Sequence, residues 1–345
     1  MSVTYDVPSA FRAQSAACAK LDSPFMERLM MLCAERLKPG SPVTNRVLQW
    51  PGDPRPQSDN VPLRLAGALH ALKIEGLSLE DVYPPNVPDD ETLWSAVETA
   101  IETFPDHILQ WLECAPQTNE VRRSAVILPS LALVQHELGR PLKLMELGAS
   151  GGLNLYADQF HLQLPGADIG STNAEVRLQP DWTGPNPPTE LPQIISRSGV
   201  DLNPLDPNDS NDRLRLLAYL WPDQPDRLER TRGAIDLATV TPSQVTKSDA
   251  GDWLPKVLAE PCDVGRFVFH TIAAQYFPVE TKAKVEAALA RAGAKATRKN
   301  PLAHLSVEAD GGQGASVKLA IWPGGKNKEI ARADFHGRWI HWTGL

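Results

Sequence analysis

Apolar residues between positions 1 and 140 recur every three or four positions, a spacing that places them on one face of an α-helix. Few β-branched runs interrupt this pattern, so we predict an all-helical N-terminal region over residues 1–140. Proline, glycine and acidic residues mark the ends of its helices. The expected helices run from Ser23 to Gly40, Leu63 to Leu72, Asp89 to Phe104 and Asn119 to Gly139.

The pattern changes at Pro141, where short apolar runs begin to alternate with helical segments. This alternation is typical of βαβ units and of a mostly parallel sheet. The predicted parallel strands are Leu142–Leu147, Gln193–Arg197, Gln244–Ser248, Arg266–His270 and Ala303–Glu308. The predicted helices are Gly152–Gln159, Asp209–Trp221, Asp226–Ala238, Trp253–Ala259 and Val279–Ala292. Val317–Trp322 and part of Glu329–Trp342 are expected to form an antiparallel terminal hairpin around Pro323–Asn327.

We therefore predict two domains, a helical region over residues 1–140 and a Rossmann-like α/β domain over residues 141–345. An insertion at about residues 161–192 is rich in proline and glycine. Loops of this length often form a lid or one wall of a substrate site.

The segment Glu146–Gly152 carries the strongest chemical signal, because four of the five residues after Leu147 are glycine or alanine and the fifth is Ser150. Such a turn between a strand and a helix lets the backbone approach a ligand closely. It matches in part the nicotinamide-dinucleotide pattern of three glycines, but Ser150 and Leu153 occupy two of those glycine positions. A plain strand-to-helix turn without a ligand is the remaining non-functional interpretation.

Gly148–Gly152 also reads as the G-x-S-x-G nucleophile elbow of α/β-hydrolases, with Ser150 as the nucleophile. The elbow of that fold follows several strands and an upstream oxyanion-hole segment. Here the upstream chain is predicted to be helical, so the turn follows the first strand of its sheet. We retain a serine hydrolase, with His270, His304 or His336 as the base, as the alternative function.

Glu146–Gly152 resembles the first motif of class I S-adenosylmethionine-dependent methyltransferases. The resemblance implies a methyltransferase-type sheet that binds S-adenosylmethionine, with a ribose-binding acidic residue after the second strand and an acidic residue near the adenine after the third. Asp201, or Asp206 as a spare, matches the first position and Asp249 the second. The implied cofactor-binding residues are Glu146, Gly148, Ala149, Ser150, Gly152, Asn154, Asp201 and Asp249.

The segment after the fourth predicted strand, His270–Pro278, reaches the methyl acceptor in this resemblance. Gln275 and Tyr276 are expected to line the acceptor pocket. His270 is the candidate general base, because histidine exchanges protons near neutral pH. The Asn-Pro-Pro-Tyr sequence typical of amino-group methyltransferases is absent.

The whole chain is also similar to the bacterial domain-of-unknown-function family 2332. This similarity rests on the Glu146–Asn154 turn, on Arg197, Gly199 and Asp201, on Trp221–Asp223 with its neighbouring arginines, and on His270 with Gln275 and Tyr276. It implies a methyltransferase-like fold without an established reaction. The arginines near Trp221 suit either an anionic acceptor or, more simply, ion-paired helix surfaces.

Composition narrows the possible partners. The formal net charge of −8 argues against broad contact with nucleic acid or with an anionic membrane. Met1–Pro8 lacks the basic start and apolar run of a signal peptide, and the four cysteines form no CxxC pair. We expect a cytoplasmic protein without disulfides or a bound metal. His336 and His341 lack further metal ligands nearby in the sequence.

The sequence thus predicts a methyltransferase that uses S-adenosylmethionine and acts on a small-molecule acceptor. A non-catalytic protein that binds the cofactor is a further alternative to the hydrolase. Neither the acceptor nor the oligomeric state follows from these patterns.

Overall fold

A computed structural model describes residues 6–241 and 243–345 of the chain. Met1–Tyr5, which belong to the segment used to argue against a signal peptide, lie outside the described residues. The chain divides into two compact units, residues 1–118 with 210–229 and residues 119–209 with 230–345. This division differs from the predicted boundary at residue 140 in two ways. The helical segment between residue 119 and the first strand belongs to the second unit, and residues 210–229 belong to the first.

The first unit is helical, as its apolar spacing predicts. Its helices within the described residues are α1 (Val7–Lys20), α2 (Pro24–Arg36), α3 (Pro42–Leu48), α4 (Val61–Ile74), α5 (Asp90–Thr103), α6 (Pro105–Leu112) and α8 (Ser210–Ala218). Their apolar faces form one core, which includes Phe11, Leu29, Leu69 and Trp221. Asp223 ties the returning segment to α2, because its carboxylate accepts hydrogen bonds from Ser23 Oγ at 2.5 Å and from the Phe25 amide at 3.0 Å.

The second unit is an α/β domain built around a nine-stranded sheet. Among the described residues, nine strands of this unit form the large sheet and three more, β2 to β4, form a small one. The strands are β1 (Leu142–Leu147), β2 (His161–Leu164), β3 (Ala167–Ile169), β4 (Arg177–Leu178), β5 (Asp181–Thr183), β6 (Ile194–Asp201), β7 (Gln244–Lys247), β8 (Gly265–Thr271), β9 (Leu302–Ala309), β10 (Ala315–Trp322), β11 (Lys326–Ala333) and β12 (Trp339–Trp342). The longer helices are α7 (Ser124–Leu138), α10 (Ala250–Ala259) and α11 (Val279–Lys295), while α9 (Pro225–Val240) crosses the boundary between the units in sequence.

The strand order in the large sheet is β5-β12-β11-β10-β9-β8-β1-β6-β7. The five strands β9, β8, β1, β6 and β7 are parallel to one another. The chain runs outward from β1 through β6 to β7 and then returns to the other side of β1 for β8 and β9. Successive strands are therefore added to one side of β1 first and to its other side afterwards, which makes the space between β1 and β8 a topological switch point. Open α/β sheets bind ligands at such a point, beyond the carboxyl ends of the strands.

The rest of the sheet is mostly antiparallel and contains more strands than the predicted hairpin. β9, β10, β11 and β12 pair in succession as an antiparallel meander. β5, from the insertion at residues 161–192, adds a parallel strand beside β12, and β2, β3 and β4 form a separate small sheet. The insertion is thus partly a sheet and not only a loop.

The parallel strands β1 and β8 are buried over most of their length. Met145, Leu147 and Val268 contribute to a core with apolar residues of α10 and α11. These strands are apolar over most of their length, as expected of parallel strands with both faces covered. No helix among the described residues is long and apolar enough to cross a membrane.

Candidate functional site

The turn after β1 has a backbone conformation that glycine favours. Gly148 and Gly152 have φ values of +72° and +70°, and Ser150 lies between them at +53°. For a residue with a side chain this left-handed region costs about 1–2 kcal/mol, and such strain concentrates at functional sites. Ser150 is also buried, with 5% of its surface exposed. The turn is therefore a specific structure that the surrounding residues hold in place.

Most backbone amides of this turn are bonded within the protein. Gly148 and Ala149 donate to the Val200 carbonyl at 2.9 and 3.1 Å, and Gly152 donates to the Ala149 carbonyl at 2.7 Å. The Leu153 amide donates to Asn119 Oδ1 at 3.0 Å. A 3₁₀-helix from Leu153 to Gln159 follows the turn in place of the predicted α-helix. These amides therefore donate to acceptors within the protein and not to a ligand.

Asp201 at the end of β6 holds the turn. Its Oδ2 accepts a hydrogen bond from the Ser150 amide at 2.8 Å, and its Oδ1 accepts one from the Asn203 amide at 2.8 Å. Each carboxylate oxygen has a second lone pair, so these bonds leave acceptor capacity for a hydroxyl group. The structure thus brings Asp201 and the turn together at one edge of the sheet, and the binding of a ribose by Asp201 remains a prediction.

Asp249 is placed differently. It caps α10, with Oδ1 accepting from the Gly251 amide at 2.8 Å, and its Oδ2 accepts from the Thr281 hydroxyl on α11 at 2.7 Å. These bonds join two helices that cover the sheet. They give Asp249 a structural role, and its contact with an adenine remains a prediction.

Glu146 is the last polar residue of β1 and only 2% of its surface is exposed. Burial raises the pKa of its carboxyl well above the ordinary value, and the nearby Asp201 carboxylate raises the pKa further. The Asn154 side chain and the Arg123 charge oppose this rise only in part. Glu146 Oε2 is buried and has no hydrogen-bond partner among the described residues. A buried acceptor without a donor indicates a place for a ligand group or a water molecule.

Asn154 connects Glu146 to the start of α7. Its Oδ1 accepts from the Ser124 hydroxyl at 2.7 Å, and its Nδ2 donates to the Glu120 carbonyl at 3.3 Å. Asn154 is 1% exposed. The predicted cofactor residue therefore acts on the site by fixing the neighbouring carboxyl, and the sequence did not single out Glu120 or Ser124.

The segment after β8 is also strained. Ile272 has a φ of +51°, which is rare for a β-branched residue because its side chain crowds the backbone. His270, two residues before Ile272, is buried, and its Nδ1 lies 2.7 Å from Oε1 of Glu308 on β9. The same oxygen accepts the amides of Ala273 and Ala274 at 3.0 and 2.9 Å. Glu308 thus fixes both the histidine and the strained turn.

Opposing effects set the charge of Glu308. Burial alone would raise the pKa of its carboxyl, but the hydrogen bond from His270, the histidine's charge and the two amides outweigh burial and lower it. Next to this pair, the rings of His270 and His304 are 5.2 Å apart. Burial, together with His270, lowers the pKa of His304 to about 3, so His304 is neutral at physiological pH.

The two strained turns meet across the switch point. A Cβ built on Gly148 would lie 2.6 Å from Cβ of Ala273, closer than two side chains can approach. The turn after β1 therefore requires glycine here because the turn after β8 packs directly against it. The site unites residues from the carboxyl ends of four parallel strands, namely Glu146, Asp201, His270 and Glu308.

Gln275 and Tyr276 lie on a short 3₁₀-helix just after this turn, from Ala274 to Tyr276. Both side chains are exposed, and Tyr276 has 77% of its surface accessible. Neither side chain is fixed among the buried groups of the site. Their role as acceptor-pocket residues remains a prediction.

Sequence reasoning missed Glu308 as a functional residue. In the sequence, Glu308 is only the last residue of the predicted strand Ala303–Glu308. A usable signal existed, because the carboxyl ends of adjacent parallel strands meet at one edge of a sheet. An acidic residue at the end of the fifth predicted strand is expected near the histidine at the end of the fourth.

Comparison with known proteins identifies the family. A family model described as an uncharacterised protein conserved in bacteria, DUF2332, matches residues 8–342. The chain belongs to this family. The DUF2332 match covers both compact units, so the helical unit is part of the family's common architecture. A search of curated proteins found no match.

Proposed function

We propose that the carboxyl edge of the parallel strands binds S-adenosylmethionine and that the protein transfers the methyl group to a small-molecule acceptor. The observation that carries this proposal is the bond between Asp201 and the Ser150 amide, which places a carboxylate beside the glycine-rich turn. A carboxylate at that position suits the paired hydroxyls of a ribose.

The charge of the site favours this cofactor over a dinucleotide. Pyrophosphate binding uses free amides at the start of an α-helix, whereas here the amides of Gly148, Ala149, Ser150, Gly152 and Leu153 all bond within the protein. Asp201 and Glu308 add negative charge, which repels phosphate and attracts a cation. S-adenosylmethionine supplies an electrophilic methyl group on a positively charged sulfur and carries no phosphate.

The protein's contribution to such a reaction is mainly alignment, because methyl transfer is an in-line displacement. The turn Gly148–Gly152 would shape the surface against which the cofactor lies. Glu146 would contact the cofactor through its unpaired buried oxygen, and Asn154 would hold the Glu146 side chain in place. Asp201 would orient the ribose. His270 would take the proton of an acceptor that must lose one.

Calorimetric titration of the full chain with S-adenosylmethionine, S-adenosylhomocysteine and NAD tests the cofactor assignment. We expect binding of the first two and none of NAD. A folded sample that binds neither sulfur-containing ligand would refute the proposal. Binding without transfer to any acceptor offered would identify a non-catalytic cofactor-binding protein.

A serine hydrolase is the second candidate, favoured by the left-handed backbone of Ser150 and by the bond between His270 and Glu308. A nucleophile elbow also holds its serine in a strained turn. The decisive measurement is reaction with a fluorophosphonate, which labels activated serines. Labelling that disappears in Ser150→Ala would replace the methyltransferase proposal by the hydrolase.

A further inference from the structure

The Glu308 carboxyl group lies against one ring nitrogen of His270. The carboxylate is bonded to Nδ1 at 2.7 Å, and an ionised carboxylate can only accept hydrogen bonds. The Ala273 and Ala274 amides donate to Oε1, and together with His270 they lower the pKa of Glu308 and keep it ionised despite its burial. A neutral His270 beside it must therefore carry its proton on Nδ1, which leaves Nε2 with a free lone pair.

We propose that Glu308 is a positioning residue, which holds His270 as the Nδ1–H tautomer so that Nε2 accepts the proton of a neutral acceptor, such as a hydroxyl compound. This inference rests on the proposed function and names the acceptor class for it. A carboxylate acceptor would need no base, since it already bears the electron pair that forms the new bond.

The proton and electron balance of the step follows from these positions. The acceptor oxygen forms a bond to the methyl carbon while the bond from sulfur to that carbon breaks. The electron pair of the broken bond stays on sulfur, which becomes a neutral thioether. The O–H proton moves to His270 Nε2. The resulting imidazolium lies against the Glu308 carboxylate, which stabilises its charge.

The groups around the ring support this direction of transfer. His304, with its ring 5.2 Å away, is neutral and adds no positive charge that would oppose a second proton on His270. His304 Nε2 is buried and lacks a hydrogen-bond partner within the described residues, so the His304 ring does not pass a proton from His270 to solvent. Glu308 is the one charged side chain bonded to His270 among them.

Nitrogen-15 NMR of histidine rings in the full chain tests the tautomer directly. His270→Gln assigns the His270 signals among the eight histidines. In the parent we expect Nδ1 protonated and Nε2 bare at alkaline pH. In Glu308→Ala we expect the ratio of the Nδ1–H to the Nε2–H form to fall by about tenfold or more, the equivalent of one charge-assisted hydrogen bond.

Two further variants keep the test decisive. Glu308→Gln retains an oxygen for His270 and for the Ala273 and Ala274 amides, so it is expected to keep the fold and restore the Nδ1–H form. Glu286→Gln, an exposed change on α11, should leave the ring signals as in the parent. A parent whose Nε2 carries the proton, or a folded Glu308→Ala with parental signals, would overturn the inference.

Calorimetry separates this inference from the cofactor assignment. If the NMR result is as expected but S-adenosylhomocysteine does not bind, the methyltransferase proposal fails while the tautomer assignment stands. If S-adenosylhomocysteine binds and the tautomer is Nε2–H, only the role of Glu308 and the proton-bearing acceptor class fail.

Discussion

The backbone amide of Ser150 donates a hydrogen bond of 2.8 Å to the carboxylate of Asp201, at the end of the neighbouring strand β6. This bond joins a glycine-rich turn to the residue that the methyltransferase resemblance assigns to the ribose. It also compensates part of the strain at Ser150, whose φ is +53°. One carboxylate thus holds the turn and, in the proposed function, also binds the ribose.

Asp201→Asn separates these two roles. The amide oxygen can still accept from Ser150, so the variant should fold, with unfolding free energy lower by about 1–3 kcal/mol because a charge-assisted bond is lost. S-adenosylmethionine should bind at least about tenfold more weakly, which calorimetry measures. Affinity equal to the parent's would remove the ribose assignment.

Asp249→Asn is the matched comparison, since Asp249 also follows a parallel strand and also bonds a backbone amide. Its oxygens accept from Gly251 and Thr281. We expect a similar loss of stability and an affinity within about threefold of the parent. A loss of affinity as large as in Asp201→Asn would instead support the adenine contact.

Gly148→Ala should disrupt the contact between the two turns. The new Cβ would lie 2.6 Å from Cβ of Ala273, in addition to the left-handed strain. Gly139→Ala is the control, because Gly139 has a φ of +57° but nothing within 4 Å of the added atom. Thermal and urea unfolding should give a loss of about 1–2 kcal/mol for Gly139→Ala and a larger loss for Gly148→Ala. Equal losses would contradict the close packing of the two turns.

Glu146→Gln should stabilise the protein increasingly as the pH rises. The raised pKa of Glu146 means that its contribution to stability is full below about pH 4.5 and is lost as the pH rises towards the folded-state pKa. A glutamine side chain does not titrate, so the variant should gain up to about 1.4 kcal/mol per pH unit over that window. Urea unfolding from about pH 4.5 to about pH 8.5, with Glu286→Gln as the exposed control, measures the difference. A constant difference across this range would refute the raised pKa.

His304 should lower the stability of the protein in acid. Its folded pKa of about 3 lies below the ordinary value of 6.5, so its contribution is full above pH 6.5 and is lost as the pH falls towards 3. His304→Leu removes the titrating group and the unpaired Nε2. The variant should therefore gain stability relative to the parent as the pH falls, whereas the exposed change His136→Gln should not. Parallel pH curves for parent and His304→Leu would be the contrary result.

The sequence predicts the parallel strands well, because buried strands in such sheets are continuous apolar runs between turn residues. β1 has the predicted bounds, and β8 and β9 differ from theirs by at most one residue at each end. β6 runs four residues past its predicted end at Arg197 and includes Asp201. It also predicts that Asp201 lies beside the glycine-rich turn, since both follow adjacent parallel strands. These are local patterns combined with one rule of topology.

Other features depend on contacts that no local pattern contains. The segment after Gly152 has a helical spacing, but the bond from Leu153 to Asn119 and the left-handed Gly152 favour a 3₁₀-helix. The rule of topology places Glu308 near His270, but the bonds that Glu308 makes to His270, Ala273 and Ala274 depend on the folded turn after β8. The sequence pattern does not predict strand β5, because β5 is short, lies in a proline-rich segment and pairs with β12, which is distant in the sequence.

The pairing of β5 with β12 constrains how this domain is made. Asp181–Thr183 have their partner strand in Trp339–Trp342, almost at the end of the chain. During synthesis β5 leaves the ribosome long before β12, so this edge of the sheet cannot close until β12 has been made. Contacts so distant in sequence form slowly, and the insertion must remain unpaired at this strand in the meantime.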